Sequence, residues 1–170
     1  MITSSSFRVG LTFLATAVAV SLAEARLDAA DTDTSPTYEH DFAEAKAAAK
    51  EAEKPVIVIF SASWCPPCQQ MKQSVYPSEV VQPYHDDFVW AYLDADEEKN
   101  RPLMARFGVS GIPNITFLRA DGSPIGQFAG AVPPEKFTEI LDQVLQGAKR
   151  PAAADRPAGS ASKRGSGTRQ

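Results

Sequence analysis

Between residues 38 and 148 the apolar positions change rhythm several times, and each change marks an element. Phe42, Ala45, Ala49 and Ala52 recur at helical spacing in a segment rich in Ala, Glu and Lys, and the helix has to end before Pro55. Val56-Ile57-Val58-Ile59-Phe60 is then apolar without interruption, which suits a central strand buried on both faces. Pro66 and Pro67 mark the start of the next helix, because proline is tolerated in a first turn and breaks an interior. Tyr76-Pro77-Ser78-Glu79 interrupts it, and Ser78 is placed to cap a short second piece running through His85.

Phe88 to Leu93 predicts a second strand, and Glu97 to Phe107 a helix ended by Gly108. Ile115-Thr116-Phe117-Leu118 and Ile125-Gly126-Gln127-Phe128 flank Asp121-Gly122, a strong hairpin signal. After Pro133-Pro134, the residues Phe137, Ile140, Leu141, Val144 and Leu145 fall on one face of a closing helix. The order α-β-α-β-α-β-β-α is an α/β chain. Its early alternation calls for parallel strands joined by crossover helices, and the late hairpin adds antiparallel ones.

Composition changes this picture only at the two ends. The chain has 170 residues and a net charge of −4, unevenly spread. Arg26 to Ala148 carries 10 basic and 19 acidic residues, whereas Lys149 to Gln170 carries 6 basic residues against Asp155 alone. An acidic body of this kind repels phosphates, so no nucleic-acid partner is expected. The tail from residue 149 to 170 lacks large apolar residues and is expected to be disordered. At the other end, Arg8 precedes a mostly apolar run from Val9 to Leu22 and the small-residue pattern Ala23-Glu24-Ala25. Residues 1–25 therefore read as a secretory signal peptide, 26–37 as a linker and 38–148 as the folded domain. The apolar run is too short to span a bilayer, so no stable membrane insertion is expected after cleavage, and the expected location is the bacterial periplasm. Disulfides persist in such a compartment.

The only cysteines, Cys65 and Cys68, lie in the stretch Ser63-Trp64-Cys65-Pro66-Pro67-Cys68. A structural zinc site wants four ligands, and His40 and His85 stand far off at no matching spacing, so no metal is expected. Covalent haem attachment wants histidine after the second cysteine, where Gln69 stands. A purely structural disulfide would close so short a loop that it would constrain the unfolded chain little. Redox exchange uses every feature. A helix N-terminus favours the thiolate, which assigns Cys65 as nucleophile and Cys68, one turn inward, as the resolving thiol. The two prolines have no N–H to donate, which leaves that of Cys68 and implies only a moderately lowered Cys65 pKa. Trp64 either flanks Cys65 or packs in the core.

The strand followed by Ala62-Ser63-Trp64-Cys65-Pro66-Pro67-Cys68 resembles the active-site segment of the thioredoxins, and Gly108-Val109-Ser110-Gly111-Ile112-Pro113 resembles their cis-proline loop. The resemblance runs from about Tyr38 to Gly147. Within the family it is most similar to exported forms such as the C-terminal domain of DsbD-type interchange proteins, supported by the long loop Val75 to Asp87 and by Tyr92-Leu93-Asp94-Ala95-Asp96. It implies a thioredoxin fold, a central mixed β-sheet flanked by helices. It also implies an exported thiol-disulfide oxidoreductase with no cofactor beyond a redox-active Cys65–Cys68 disulfide. Trp64, Ile112 and a cis Pro113 would shape the substrate groove. The implied partners are protein thiols and disulfides and a dithiol donor or acceptor, met by a monomer. The alternatives are a peptide-binding module without turnover and a thiol reductase of cytochrome c maturation. Direction of electron flow is not legible, since it turns on small differences in potential.

The chain departs from the resemblance at three places. Ile59 stands where thioredoxins carry a buried aspartate, and Tyr92 where they carry a lysine on the neighbouring strand. Lys72 stands where the DsbD-type domain carries a glutamate. The carboxylate thought to assist deprotonation of Cys68 therefore has no counterpart at these positions.

Overall fold

In a computed structural model, which describes residues 34–150, five strands form one mixed sheet. The elements in chain order are β1 (Tyr38–Glu39), α1 (Phe42–Ala52), β2 (Val56–Ser61), α2 (Pro66–Gln70), β3 (Val89–Asp94), α3 (Arg101–Phe107), β4 (Asn114–Leu118), β5 (Pro124–Ala129) and α4 (Pro134–Ala148). Their spatial order is β1-β3-β2-β4-β5. β3 pairs in parallel with both β1 and β2, whereas β4 runs antiparallel to β2 and to β5. The apolar run from Val56 is thus the central strand, and all six of its residues are buried.

Strand alternation divides its side chains between two cores. Val56, Val58 and Phe60 face Ala45 and Ala49 of α1, with Leu103, Met104 and Phe107 of α3 closing the layer. Ile57 and Ile59 face Met71, Val75 and Tyr76 after α2, and Phe137, Leu141 and Val144 of α4. Asp41 caps α1 by accepting from the backbone N–H groups of Ala43 and Glu44, at 2.7 and 3.3 Å. Gly108 ends α3 in the left-handed region at φ 65°, a conformation that costs a residue with a Cβ.

Several elements differ from expectation. A two-residue strand, β1, precedes the first helix because the edge of β3 recruits Tyr38 and Glu39 opposite Trp90 and Ala91. The helix that opens at Pro66 continues as a wider turn over Met71–Val75, in which the N–H of Tyr76 donates to the Met71 carbonyl, 3.0 Å away. Ser78 does not cap the next piece. Its hydroxyl turns back to donate to the Val75 carbonyl at 2.7 Å, finishing the preceding turn, and a 3₁₀ segment follows at Gln82–Asp87. The third helix opens with a 3₁₀ turn, Glu98–Asn100, and Pro102 lies in the first turn of the α-helix proper.

Arg119, after β4, is buried and donates to the carbonyls of Gly147, Arg150 and Pro124, tying the end of α4 to the hairpin. The expected signal peptide (residues 1–25), the linker as far as residue 33 and the tail beyond residue 150 lie outside the described residues. No helix among the described residues is long and apolar enough to cross a membrane.

Candidate functional site

Cys65 and Cys68 are joined as a disulfide with Cα atoms 5.3 Å apart, just beyond the end of β2. Cys65 is the N-cap of α2, in extended conformation, with Pro66 and Pro67 as the first helical residues. Its Sγ accepts the backbone N–H of Cys68 at 3.3 Å, the one donor that the two prolines leave in that turn. The loop before it is pinned twice on the Ala62 carbonyl, by the N–H of Cys65 at 3.2 Å and by the Gln69 amide at 3.0 Å.

The second wall comes from a loop distant in sequence. The Ile112–Pro113 peptide bond is cis, and the Ile112 carbonyl lies 3.8 Å from Cys65 Sγ. Pro113's own carbonyl accepts the N–H of Gly130 at 2.8 Å, which ties the loop to the end of β5. Ala62 and Ile112 pack on the cysteines, so Cys65 is only 3% exposed and Cys68 1%. Trp64 takes the flanking role rather than the core one. It is 65% exposed, and its Nε1 donates to Asp96 Oδ2 at 2.6 Å. Asp96 follows β3, and its own N–H donates to the Asp94 carboxylate at 2.8 Å. Sequence reasoning noted Asp94 and Asp96 as a run but not that one of them would meet Trp64, a pairing across 32 residues.

The departures from the family pattern meet in space. Ile59 of β2 stands opposite Tyr92 of β3. The Tyr92 hydroxyl shares a 2.6 Å hydrogen bond with Ser61 Oγ, and Lys72 Nζ sits 4.8 Å from the centre of the Tyr92 ring. Burial pushes the Tyr92 phenol above its ordinary pKa; the hydrogen bond with Ser61 opposes this and the charge of Asp94 adds to it. Ser61 had no signal in the sequence beyond its place at the end of an apolar run. His40 and His85 each bond a backbone carbonyl, of Tyr92 at 3.0 Å and Tyr76 at 2.8 Å. Among the described residues no group of three or more His, Cys, Asp and Glu side chains is arranged to hold a metal ion.

Residues 42–145 match the family model described as a thioredoxin-like domain. The chain is 33% identical over 94 residues to the chloroplast thioredoxin-like protein HCF164 of Arabidopsis thaliana, an alignment covering 55% of this chain and 35% of that one. The chain thus spans about a third of the length of such plant relatives. It is 34% identical over 96 residues to a thioredoxin of Alicyclobacillus acidocaldarius, covering 56% of this chain and 87% of that one. Among solved structures, the C-terminal domain of DsbD from Neisseria meningitidis in its oxidised form superposes with a TM-score of 0.54 at 28% identity, over 63% of this chain and 98% of that one.

Proposed function

The chain belongs to the thioredoxin-like family, and on that premise we propose that it is a thiol-disulfide oxidoreductase working through Cys65 and Cys68. One observation carries the reading: the Cys65 sulfur caps a helix, accepts the Cys68 N–H and faces the carbonyl of a cis Ile112–Pro113 bond. In the reduced protein the Cys65 thiolate attacks a substrate disulfide. A bond forms between Cys65 and one substrate sulfur, and the other substrate sulfur leaves as a thiolate. Cys68 then attacks the Cys65 sulfur, the substrate sulfur bonded to Cys65 departs as a thiolate, and the disulfide seen here is restored. Two electrons pass to the substrate, and a dithiol protein returns them. The reverse sequence makes the protein an oxidant.

The exposed ring of Trp64 and the backbone of Ile112 and Pro113 form the surface against which an extended substrate strand lies, through main-chain hydrogen bonds of the kind that add a strand to an edge. The working unit is residues 38–148, acting as a monomer on protein thiols and disulfides, without metal or other cofactor. The signal-like pattern of residues 1–25 supports export, and with it a periplasmic site of action.

The test is covalent capture. With Cys68→Ser, a disulfide-containing protein substrate should accumulate as a mixed disulfide on Cys65, visible as a higher-mass band without reductant. Cys65→Ser should form none and should lose turnover. Equal capture by the two variants, or turnover surviving in Cys65→Ser, refutes the assignment.

A further inference from the structure

Resolving a mixed disulfide needs Cys68 as a thiolate, yet Cys68 is 1% exposed, and burial disfavours a charged sulfur. A nearby carboxylate could take the proton but would repel the resulting anion. The side chain one helical turn after Cys68 is instead a cation, Lys72, and residues four apart on a helix share a face. Helical side chains lean toward the N-terminus, which directs Lys72 back toward the turn of Cys68.

Lys72 is exposed, and its ammonium is engaged on one side. Its Nζ lies 4.8 Å from the centre of the Tyr92 ring, the range of a cation–π contact. Tyr92 stands opposite Ile59, and its hydroxyl reaches forward to Ser61 Oγ at 2.6 Å, so the ring points toward the cysteine end of the sheet. Ser61 is fully buried and immediately precedes Ala62, which packs on both cysteines. Lys72 thus lies one helical turn from Cys68 along the chain, and Ser61 lies next to Ala62, which clusters with both cysteines.

We propose that Lys72, held over β3 by Tyr92 and Ser61, supplies the positive charge that stabilises the Cys68 thiolate, so that resolution proceeds without a neighbouring carboxylate base. The Cys68 thiol gives its proton to solvent, and the thiolate attacks Cys65 Sγ. The bond from Cys65 to the substrate breaks, and the departing substrate thiolate takes a proton from solvent. Lys72 tunes the reacting sulfur, and Tyr92 and Ser61 are positioning residues. The other ionisable groups around this spot are Asp94 at the end of β3, Asp96 just after it, Tyr38 and His40 beside Tyr92, and Tyr76 behind it. The Ile112–Pro113 loop contributes none.

The inference rests on the redox reading of the cysteine pair, and its test separates the two. The mixed disulfide of Cys65 with thionitrobenzoate is formed in otherwise native protein, and release of the coloured thiol by Cys68 is followed against pH. Lys72→Met should raise the midpoint of the rate profile by about half to one pH unit, slowing release near neutrality by about three- to tenfold. Lys72→Arg should restore the profile, and Lys72→Glu should move it further than Lys72→Met. The gap between native and Lys72→Met should narrow in 1 M salt, where the Debye length is about 3 Å. Tyr92→Leu, which removes the platform and leaves the lysine, should shift the profile in the same direction by less. Coincident profiles for native, Lys72→Met and Lys72→Glu, with release still dependent on Cys68, overturn the inference and leave the redox reading standing. Failure of the native protein to release the thiol at any pH overturns both.

Discussion

Tyr76 offers a quantitative test of how the core is built, through the substitution Tyr76→Phe. Its ring is fully buried, 5.7 Å from that of Trp90 and 5.6 Å from that of Phe137 between centres. Its hydroxyl is buried with no hydrogen-bond partner among the described residues. Leaving such a group unsatisfied costs about 1–3 kcal/mol. Removing the oxygen keeps the ring contacts and opens a void worth a few tenths of a kcal/mol, at about 24 cal/mol per Å³. The net expectation is a gain of roughly 0.5–2.5 kcal/mol, read as a higher urea midpoint at unchanged m-value with both proteins oxidised.

The same phenol predicts an alkaline effect. Burial, with the hydroxyls of Tyr38 and Tyr92 adding to it, raises the Tyr76 pKa well above 10.0 in the folded protein. A group raised on folding contributes stability that is complete below its unfolded pKa, near 10, and that is lost as pH climbs from there through the folded value. Above pH 10 the native protein should lose about 1.4 kcal/mol per pH unit on account of this residue, and Tyr76→Phe should not. A variant destabilised by more than about 1 kcal/mol, with the alkaline slope unchanged, would refute the reasoning by showing that the hydroxyl is hydrogen-bonded.

Two other substitutions probe separate parts of the structure. Arg119→Met leaves the carbonyls of Gly147, Arg150 and Pro124 without their guanidinium donor and should cost about 2–4 kcal/mol in urea unfolding, with the redox chemistry of the cysteines unaltered. Asp96→Ala frees the exposed Trp64 indole from its 2.6 Å partner. Stability should change by less than about 1 kcal/mol because the contact is exposed, whereas stopped-flow capture of substrate by the Cys68→Ser protein should slow several-fold as Trp64 loses its fixed orientation.

Much of the site was legible because its signals are local. Proline in a first turn is a matter of one missing N–H and one fixed φ, so Pro66 and Pro67 placed Cys65 at a helix start, and Cys65 is the N-cap. Gly108 at φ 65° and Gly122 at φ 83° stand where a turn needs a residue without a Cβ, and each was visible as a break in the apolar rhythm. The uninterrupted run from Val56 had to be central, since exposure of either face would leave apolar side chains in water. The cis bond at Pro113 was different: proline alone favours trans, and only the resemblance to a family anticipated what is found.

What needed the tertiary structure is whatever depends on register between segments far apart in the chain. β1 is two residues long and exists because β3 offers it an edge. Trp64 met Asp96, and Arg119 met the end of α4, through side chains long enough to cross between elements whose relative placement no spacing rule encodes. Ile59, Tyr92 and Lys72 read along the chain as three separate departures from the expected charges, two losses and one reversal. Pairing of β2 with β3, and the seating of the helix after Cys68 on that sheet, turned the last two, with Ser61, into one contiguous array. Period and local sterics determine which elements form, because both act within a few residues. Strand pairing determines which side chains share a site, because it brings together residues that the chain itself keeps apart.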